Sequence, residues 1–201
     1  SSTMSSMLRA SPLLLTVSLL GFGTPAMGED GREWDVARAR SMQAHDLSVH
    51  QSVDRWSQLV GNSRMGFSAY ASFLLTYPGY PREERIREFA EKALLDESPD
   101  PSTVIAFFDR YPPLTSEAAG RYATALASVR RFDARDKAVA AWRAGSLTPN
   151  AEATLLSLYR DVLTPADHDA RMNALLWQGE TQQAERQISF VSSGKRNVFM
   201  E

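Results

Sequence analysis

Ser68-Ala-Tyr-Ala-Ser-Phe73-Leu-Leu-Thr-Tyr77-Pro78 is followed, 34 residues on, by Ser102-Thr-Val-Ile-Ala-Phe107-Phe-Asp-Arg-Tyr111-Pro112. Four positions recur in one register: Ser68 with Ser102, Phe73 with Phe107, Tyr77 with Tyr111, and Pro78 with Pro112. Each copy predicts a short helix that closes on an aromatic residue. Proline stops it, because proline cannot continue a helix and biases the residue before it out of the α region. The offset lies in the range of helical-repeat proteins. There a single two-helix unit cannot bury its apolar stripe alone, and the neighbouring unit completes the core.

The rest of the chain fits that frame. Upstream, 33–46 reads as one modest helix. Leu47 to Val60 reads as another, with Val49, Val53, Trp56 and Val60 in a helical stripe and Gly61-Asn62 closing it. Pro81 is expected at the first position of the next helix, whose apolar face is Ile86, Phe89, Ala90, Ala93 and Leu94. The charges Glu83, Glu84, Arg87, Glu88 and Lys92 then form a solvated face, with Glu88 and Lys92 paired at i, i+4. Ser98-Pro99-Asp100-Pro101 breaks the chain before the second copy.

Beyond Pro113, Thr115 should cap a helix with Ala119, Tyr122, Ala123, Leu126 and Val129 on its apolar side. Asp133 should start one carrying Ala138, Val139, Ala141 and Trp142, stopped by Gly145. Thr148-Pro149 and Thr164-Pro165 are matched starts, a hydroxyl cap followed by proline, and Asp167 sets up a capping box with Thr164. Ala153, Leu155, Leu156, Leu158 and Tyr159 cover the first of these helices; Met172, Leu175, Leu176 and Trp177 cover the second. Trp142 and Trp177, 35 apart and each followed within a few residues by glycine, extend the period. A final helix is expected from Thr181 to Phe190.

No stretch alternates with period 2 over a strand length, and no hairpin signal occurs. The expected class is all-α without β-sheet, a stack of helical hairpins forming a right-handed α-superhelix of the tetratricopeptide type. A closed bundle is the competing arrangement. The divisions are a leader at 1–28, N-terminal helices at 29–64, the repeat region at 65–190 and a tail at 191–201.

The leader rests on Arg9, the apolar run Pro12 to Phe22, and the small residues Ala26 and Gly28 at the −3 and −1 positions. That is the layout of a secretory signal peptide, cleaved after Gly28. The run is shorter than the roughly 20 residues that cross a bilayer, so no membrane span is expected. The mature protein should then begin near Glu29 and work outside the cytoplasm. The chain has no cysteine, which excludes a disulfide, a thiol nucleophile, a cysteine metal site and a lipoprotein anchor. A formal charge of −2 gives no electrostatic case for nucleic acid. Arginine supplies nearly all the positive charge, the lysines being Lys92, Lys137 and Lys195.

Chemistry is hard to find in the residues. His45 and His50 miss the i, i+3 or i, i+4 spacing of a helical metal pair. His168 sits between Asp167 and Asp169 in a first helical turn, where acids favour the dipole end. No phosphate loop, nucleophile elbow or His-Glu-x-x-His motif occurs. No catalytic, cofactor-binding or metal-binding residue is assigned, and no cofactor is expected. The aromatics Tyr77, Tyr80, Phe107, Tyr111, Trp142 and Trp177 read mostly as core by their periodicity. A sugar-stacking surface from some of them is the competing use.

The stretch Phe73 to Gln187 resembles the N-terminal superhelical region of soluble lytic transglycosylases, periplasmic enzymes that cleave peptidoglycan glycan strands. The resemblance is carried by Phe73-Leu-Leu-Thr-Tyr77-Pro78-Gly-Tyr-Pro81, by Phe107-Phe-Asp-Arg-Tyr111-Pro112-Pro113, and by Ala141-Trp142-Arg-Ala-Gly145-Ser-Leu-Thr-Pro149-Asn150-Ala151. Leu155-Leu156-Ser-Leu158-Tyr159-Arg160 and Trp177-Gln-Gly179 extend it. Some family members carry a cysteine after the Pro-x-Ala segment; Glu152 stands here, a difference expected to matter little.

The resemblance implies a superhelix that curls into a ring, with cleavage performed by a separate C-terminal lysozyme-like domain. That domain's Glu-Ser and Gly-Leu-Met-Gln signature is not reproduced. The Glu97-Ser98 pair stands in a proline-rich loop, so the catalytic acid is not carried over to Glu97. The resemblance therefore implies a segment of a periplasmic lytic transglycosylase-like protein, cut off partway through the superhelix, that touches glycan strands without cleaving them. A truncated stack of this kind should expose an apolar end and self-associate. A periplasmic helical-repeat adaptor that binds a protein partner is the alternative, and an enzyme complete within this chain is the third reading.

Overall fold

The structure, a computed structural model, describes residues 30–200. The leader read over residues 1–28 lies outside the described residues. Helix α1 (Asp30–Gly61) runs across the boundary between two units of the chain, Ser1–Asp46 and Leu47–Glu201; the remaining helices belong to the second. They are α2 (Phe67–Thr76), α3 (Glu83–Leu94), α4 (Pro101–Arg110), α5 (Ser116–Ser128), α6 (Ala134–Ala144), α7 (Pro149–Tyr159), α8 (Pro165–Gln178), α9 (Thr181–Gln187) and α10 (Ser193–Met200). A 3₁₀ turn, Ile188–Phe190, follows α9. The protein is all-α, and no strand occurs among the described residues.

The repeat quoted first survives at the level of single bonds. Tyr77 and Tyr111 end α2 and α4 with φ of −125° and −124°, and each donates its N–H to the carbonyl of the phenylalanine four residues back at 2.8 Å. Phe67 and Phe107 meet edge to face at 5.5 Å, and Tyr111 Oη donates to the Leu74 carbonyl at 2.8 Å. The two copies therefore lie against each other.

Packing follows chain order. α2 packs on α3 and α4, α4 on α5, α5 on α6 and α7, α6 on α7 and α8, and α8 on α9. Buried apolar residues accordingly fall into successive groups. The first runs from Leu59 to Ala134 and includes Phe67, Tyr70, Phe107 and Leu126. The second surrounds Trp142, Leu147 and Leu155. The third is small: Met172, Leu175, Ala184 and Val191.

Several helix entries are capped from far away in sequence. Glu91 on α3 is only 3% exposed and accepts from the N–H groups of Leu114 and Thr115 and from the Thr115 hydroxyl, each at 2.8 Å. It thereby fixes the start of α5, where Thr115 also accepts from Ala118 N–H at 3.2 Å. Thr148 and Thr164 cap α7 and α8 as expected, and Thr164 with Asp167 completes the capping box.

Four expectations are corrected. The helices expected at 33–46 and 47–60 are one, because no glycine or proline interrupts 33–60. Its stripe holds only at its end: Trp56 and Val60 face the core as expected, but Val49 and Val53 are exposed, and Ser52 and Leu59 are buried instead, the Ser52 hydroxyl lying 2.6 Å from Tyr80 Oη. Pro81 does not open α3. The helix starts at Glu83 after Arg82 at φ 60°, and the Pro81 carbonyl instead accepts from Trp56 Nε1 at 2.7 Å. Val129 is exposed because α5 ends at Ser128 and the chain turns through Arg130 at φ 54°.

Candidate functional site

Trp142 and Trp177 part company. Trp142 is fully buried, whereas Trp177 is 92% exposed and does not belong to the core as its spacing implied. The reason is register. Trp142 stands three residues before Gly145, but Trp177 stands two before Gly179. One residue on a helix is a turn of about 100°, so Trp177 does not share the helical position of Trp142; Leu175 is the fully buried residue of this turn, Leu176 is 48% exposed, and Trp177 faces out. Phe107 and Tyr111 are buried as expected; Tyr77 and Tyr80 are half-buried beside Phe73.

The burial of Trp142 leads to a buried guanidinium that makes four hydrogen bonds. The Trp142 Nε1–H donates to His168 Nδ1 at 3.2 Å, and the Arg171 guanidinium lies 4.2 Å from the centre of the Trp142 ring system. Arg171 is 1% exposed. It donates to the Gly145 carbonyl (3.2 Å), Gln187 Oε1 (2.8 Å), Gln183 Oε1 (3.1 Å) and Glu152 Oε2 (3.0 Å). Glu152 also accepts from Arg186 at 3.1 Å. The residue expected to matter little is thus the counter-ion that makes a buried guanidinium tolerable.

Burial pushes the Glu152 carboxyl up, but the bonds from Arg186 and Arg171 together outweigh it and hold the group below the usual carboxylate range. Burial also lowers Arg171, only partly offset by Glu152. The two shifts do not mirror each other because Glu152 has a second guanidinium and Arg171 has one anion. An acid held ionised in this way has no proton to give at neutral pH. The cluster ties α6, α7, α8 and α9 together.

The other titratable residues singled out in the sequence are accounted for similarly. Glu97 Oε2 accepts from Phe67 N–H at 2.9 Å, where it caps the entry to α2 in place of a local side chain. His45 and His50 are exposed on α1. His168 is buried, stacked on Phe190 at 5.1 Å, and its backbone carbonyl accepts from Gln187 Nε2 at 3.1 Å. Among the described residues no group of three or more His, Cys, Asp or Glu side chains could hold a metal ion. No described helix is long and apolar enough to cross a membrane.

Surface concavities remain. A groove of about 560 Å³ lies along α2, lined by Ser68, Ser72 and Thr76, with Phe73 and Tyr77 beside them and Arg55 of α1 opposite. The three hydroxyls are exposed and recur every fourth residue, which puts them on one helical face. That spacing was present in the sequence but was masked by the aromatic repeat running through the same ten residues. A second groove, about 360 Å³ and apolar, lies among α8, α9 and α10. No family model matches the chain, and neither curated proteins nor solved structures give a match.

Proposed function

We propose that this chain is a superhelical segment of the soluble lytic transglycosylase type, contributing scaffold and glycan contact in peptidoglycan turnover rather than bond cleavage. The observation that carries the reading is the segment Ala141 to Ala151. The resemblance requires a tryptophan-bearing helix to end at a glycine and the next helix to start at the proline. Here α6 ends before Gly145 at φ 110°, and α7 starts at Pro149 with Thr148 as its cap. The main helix contacts run between near neighbours in the chain, which is what a superhelix asks of the rest.

The hydroxyl-lined groove along α2 is the surface best suited to a glycan strand. Sugars present both apolar ring faces and hydroxyls, and the groove pairs the exposed Ser68, Ser72 and Thr76 with the half-buried Tyr77 and the cation of Arg55. The work is in the periplasm, reached by the leader read at 1–28.

The test is co-sedimentation of the purified chain with peptidoglycan sacculi, together with analysis of the supernatant. The chain is expected to pellet with sacculi, to lose about tenfold in affinity on Ser72→Arg, which fills the groove, and to release no anhydro-muropeptides. Release of such products would overturn the non-catalytic half of the proposal. A chain that ignores sacculi but retains a periplasmic protein partner would favour the adaptor reading instead.

A further inference from the structure

The turn between α5 and α6 carries Phe132 at 94% exposure, with Val129 beside it at 51%. An aromatic side chain held in water is unfavourable, and this one is held firmly. Arg130 takes the left-handed conformation, and the Arg131 N–H donates to the Leu126 carbonyl at 3.1 Å. The Arg131 guanidinium binds Asp133 through two bonds (2.7 and 2.9 Å), Asp109 at 2.7 Å and Tyr122 Oη at 2.9 Å. Residues on both sides of Phe132 are therefore pinned, and little ordering is left to lose when it is buried against a partner. Around this tip Arg130, Arg135 and Lys137 are exposed and form no ion pair among the described residues; Asp136 is the one acid exposed in the same way, which leaves the flank net basic.

The complementary feature lies elsewhere on the same unit. The apolar groove is lined by Leu175, Leu176, Ala184, Ile188 and Phe199, with Glu180 and Glu185 among its lining residues. Leu176 is 48% exposed there, and Glu185 is exposed without an ion pair among the described residues. The lining comes from α8, α9 and α10 and does not include Phe132, so the tip of the same molecule does not fill it.

We propose that a second copy of this chain is the occupant: Phe132 of one molecule seats in the α8–α10 groove of the next, with Arg130, Arg135 and Lys137 meeting Glu180 and Glu185. Apolar tip meets apolar groove, and a basic flank meets an acidic edge. The two surfaces differ, so the contact is heterologous. Each molecule keeps a free tip and a free groove, and assembly proceeds head to tail beyond a dimer unless the rotation closes a ring. The acidic edge and the basic flank make it weaken with salt.

Sedimentation velocity on the full chain, from micromolar to near-millimolar concentration, tests this. Wild type is expected to form species larger than dimers at low salt. Phe132→Ser and Leu176→Glu, both exposed positions whose helical circular dichroism should stay unchanged, should each weaken association about tenfold or more. Mixed together, the two variants should form a one-to-one complex, because the first keeps an intact groove and the second an intact tip. Wild type that stays monomeric throughout overturns the proposal, as does Phe132→Ser that associates like wild type, or a mixture that fails to pair. Binding of wild type but not Phe132→Ser to anionic lipid vesicles, with no self-association in solution, would assign the tip to a membrane surface and also overturn it.

Discussion

The indole N–H of Trp142 points at the unprotonated Nδ1 of His168, 3.2 Å away. An indole can only donate, so this nitrogen has to accept. Gln187 reinforces the requirement. Its Oε1 is taken by Arg171, which turns its Nε2 toward the same nitrogen at 3.4 Å and toward the His168 carbonyl. A proton added to Nδ1 would face two donors with the Arg171 guanidinium nearby.

A pH dependence follows. Burial, the largest effect, lowers His168 below its ordinary value; Asp167 and Asp169 push it up, while Arg171 and Arg160 oppose them. A base whose proton affinity is depressed by folding stabilises the fold above its unfolded pKa of about 6.5, and that contribution fades as pH falls through the folded value. The buried carboxylates Asp167 and Asp169 are also depressed, burial being outweighed by their hydrogen bonds to Thr164 and Ser192 and by their cationic partners. Their contribution is lost only below about pH 4, which leaves a window between the two ranges. Urea midpoints are expected to decline below about pH 6.5 in wild type but to stay level to about pH 5 in His168→Gln, whose amide oxygen can still accept from Trp142. Parallel curves would refute this.

Glu152 and Arg171 give a prediction about removal of one charge. Glu152→Ala leaves a guanidinium that is 1% exposed without an anion, and should cost about 3–5 kcal/mol by urea unfolding. Adding Arg171→Met to that variant should recover a large part of the loss, because an apolar side chain then replaces the stranded charge. A double variant no more stable than the single one would show that the network's hydrogen bonds, not the unpaired charge, dominate.

Gly145 and Gly79 separate backbone strain from crowding. Both have positive φ, 110° and 88°. A Cβ at Gly79 meets nothing within 4 Å, but one at Gly145 would lie 2.5 Å from Gln178 Oε1 and 2.9 Å from Ala174 Cβ. Gly79→Ala is expected to cost about 1 kcal/mol from conformation alone. Gly145→Ala should cost about 3 kcal/mol or more, since it also displaces the Gln178 amide that bonds Ser146 N–H and the Ala144 carbonyl. Thermal unfolding of the two variants side by side measures the difference.

Legibility in the sequence tracks how local the cause is. Thr115, Thr148 and Thr164 were readable as caps because a hydroxyl bonding the N–H three residues on is a matter of adjacent residues. The Tyr77 and Tyr111 stops were readable for the same reason. Nothing local marks Glu91 as a cap, since its partners lie 23 and 24 residues away. Trp177 was misread because a match at 35 residues was taken as equivalent to one at 34, and a helix punishes a one-residue slip with a quarter turn or more. The groove along α2 was half legible: the hydroxyl spacing was on the page, but Arg55 opposite it was not.

The amino-acid order by itself determined the all-α class, the helix starts at Thr115, Thr148 and Thr164, the stops at Tyr77 and Tyr111, and the doubling of the aromatic helix. Each of these arises from steric and hydrogen-bonding preferences within a few residues. Only the tertiary structure decided that Arg171 is buried and Glu152 answers it, that His168 must accept a hydrogen bond, and that Phe132 stands in solvent while Trp142 does not. Those outcomes depend on which helix lies against which. Burial and pairing are properties of neighbours in space, and a helical pattern specifies a face without naming what will cover it.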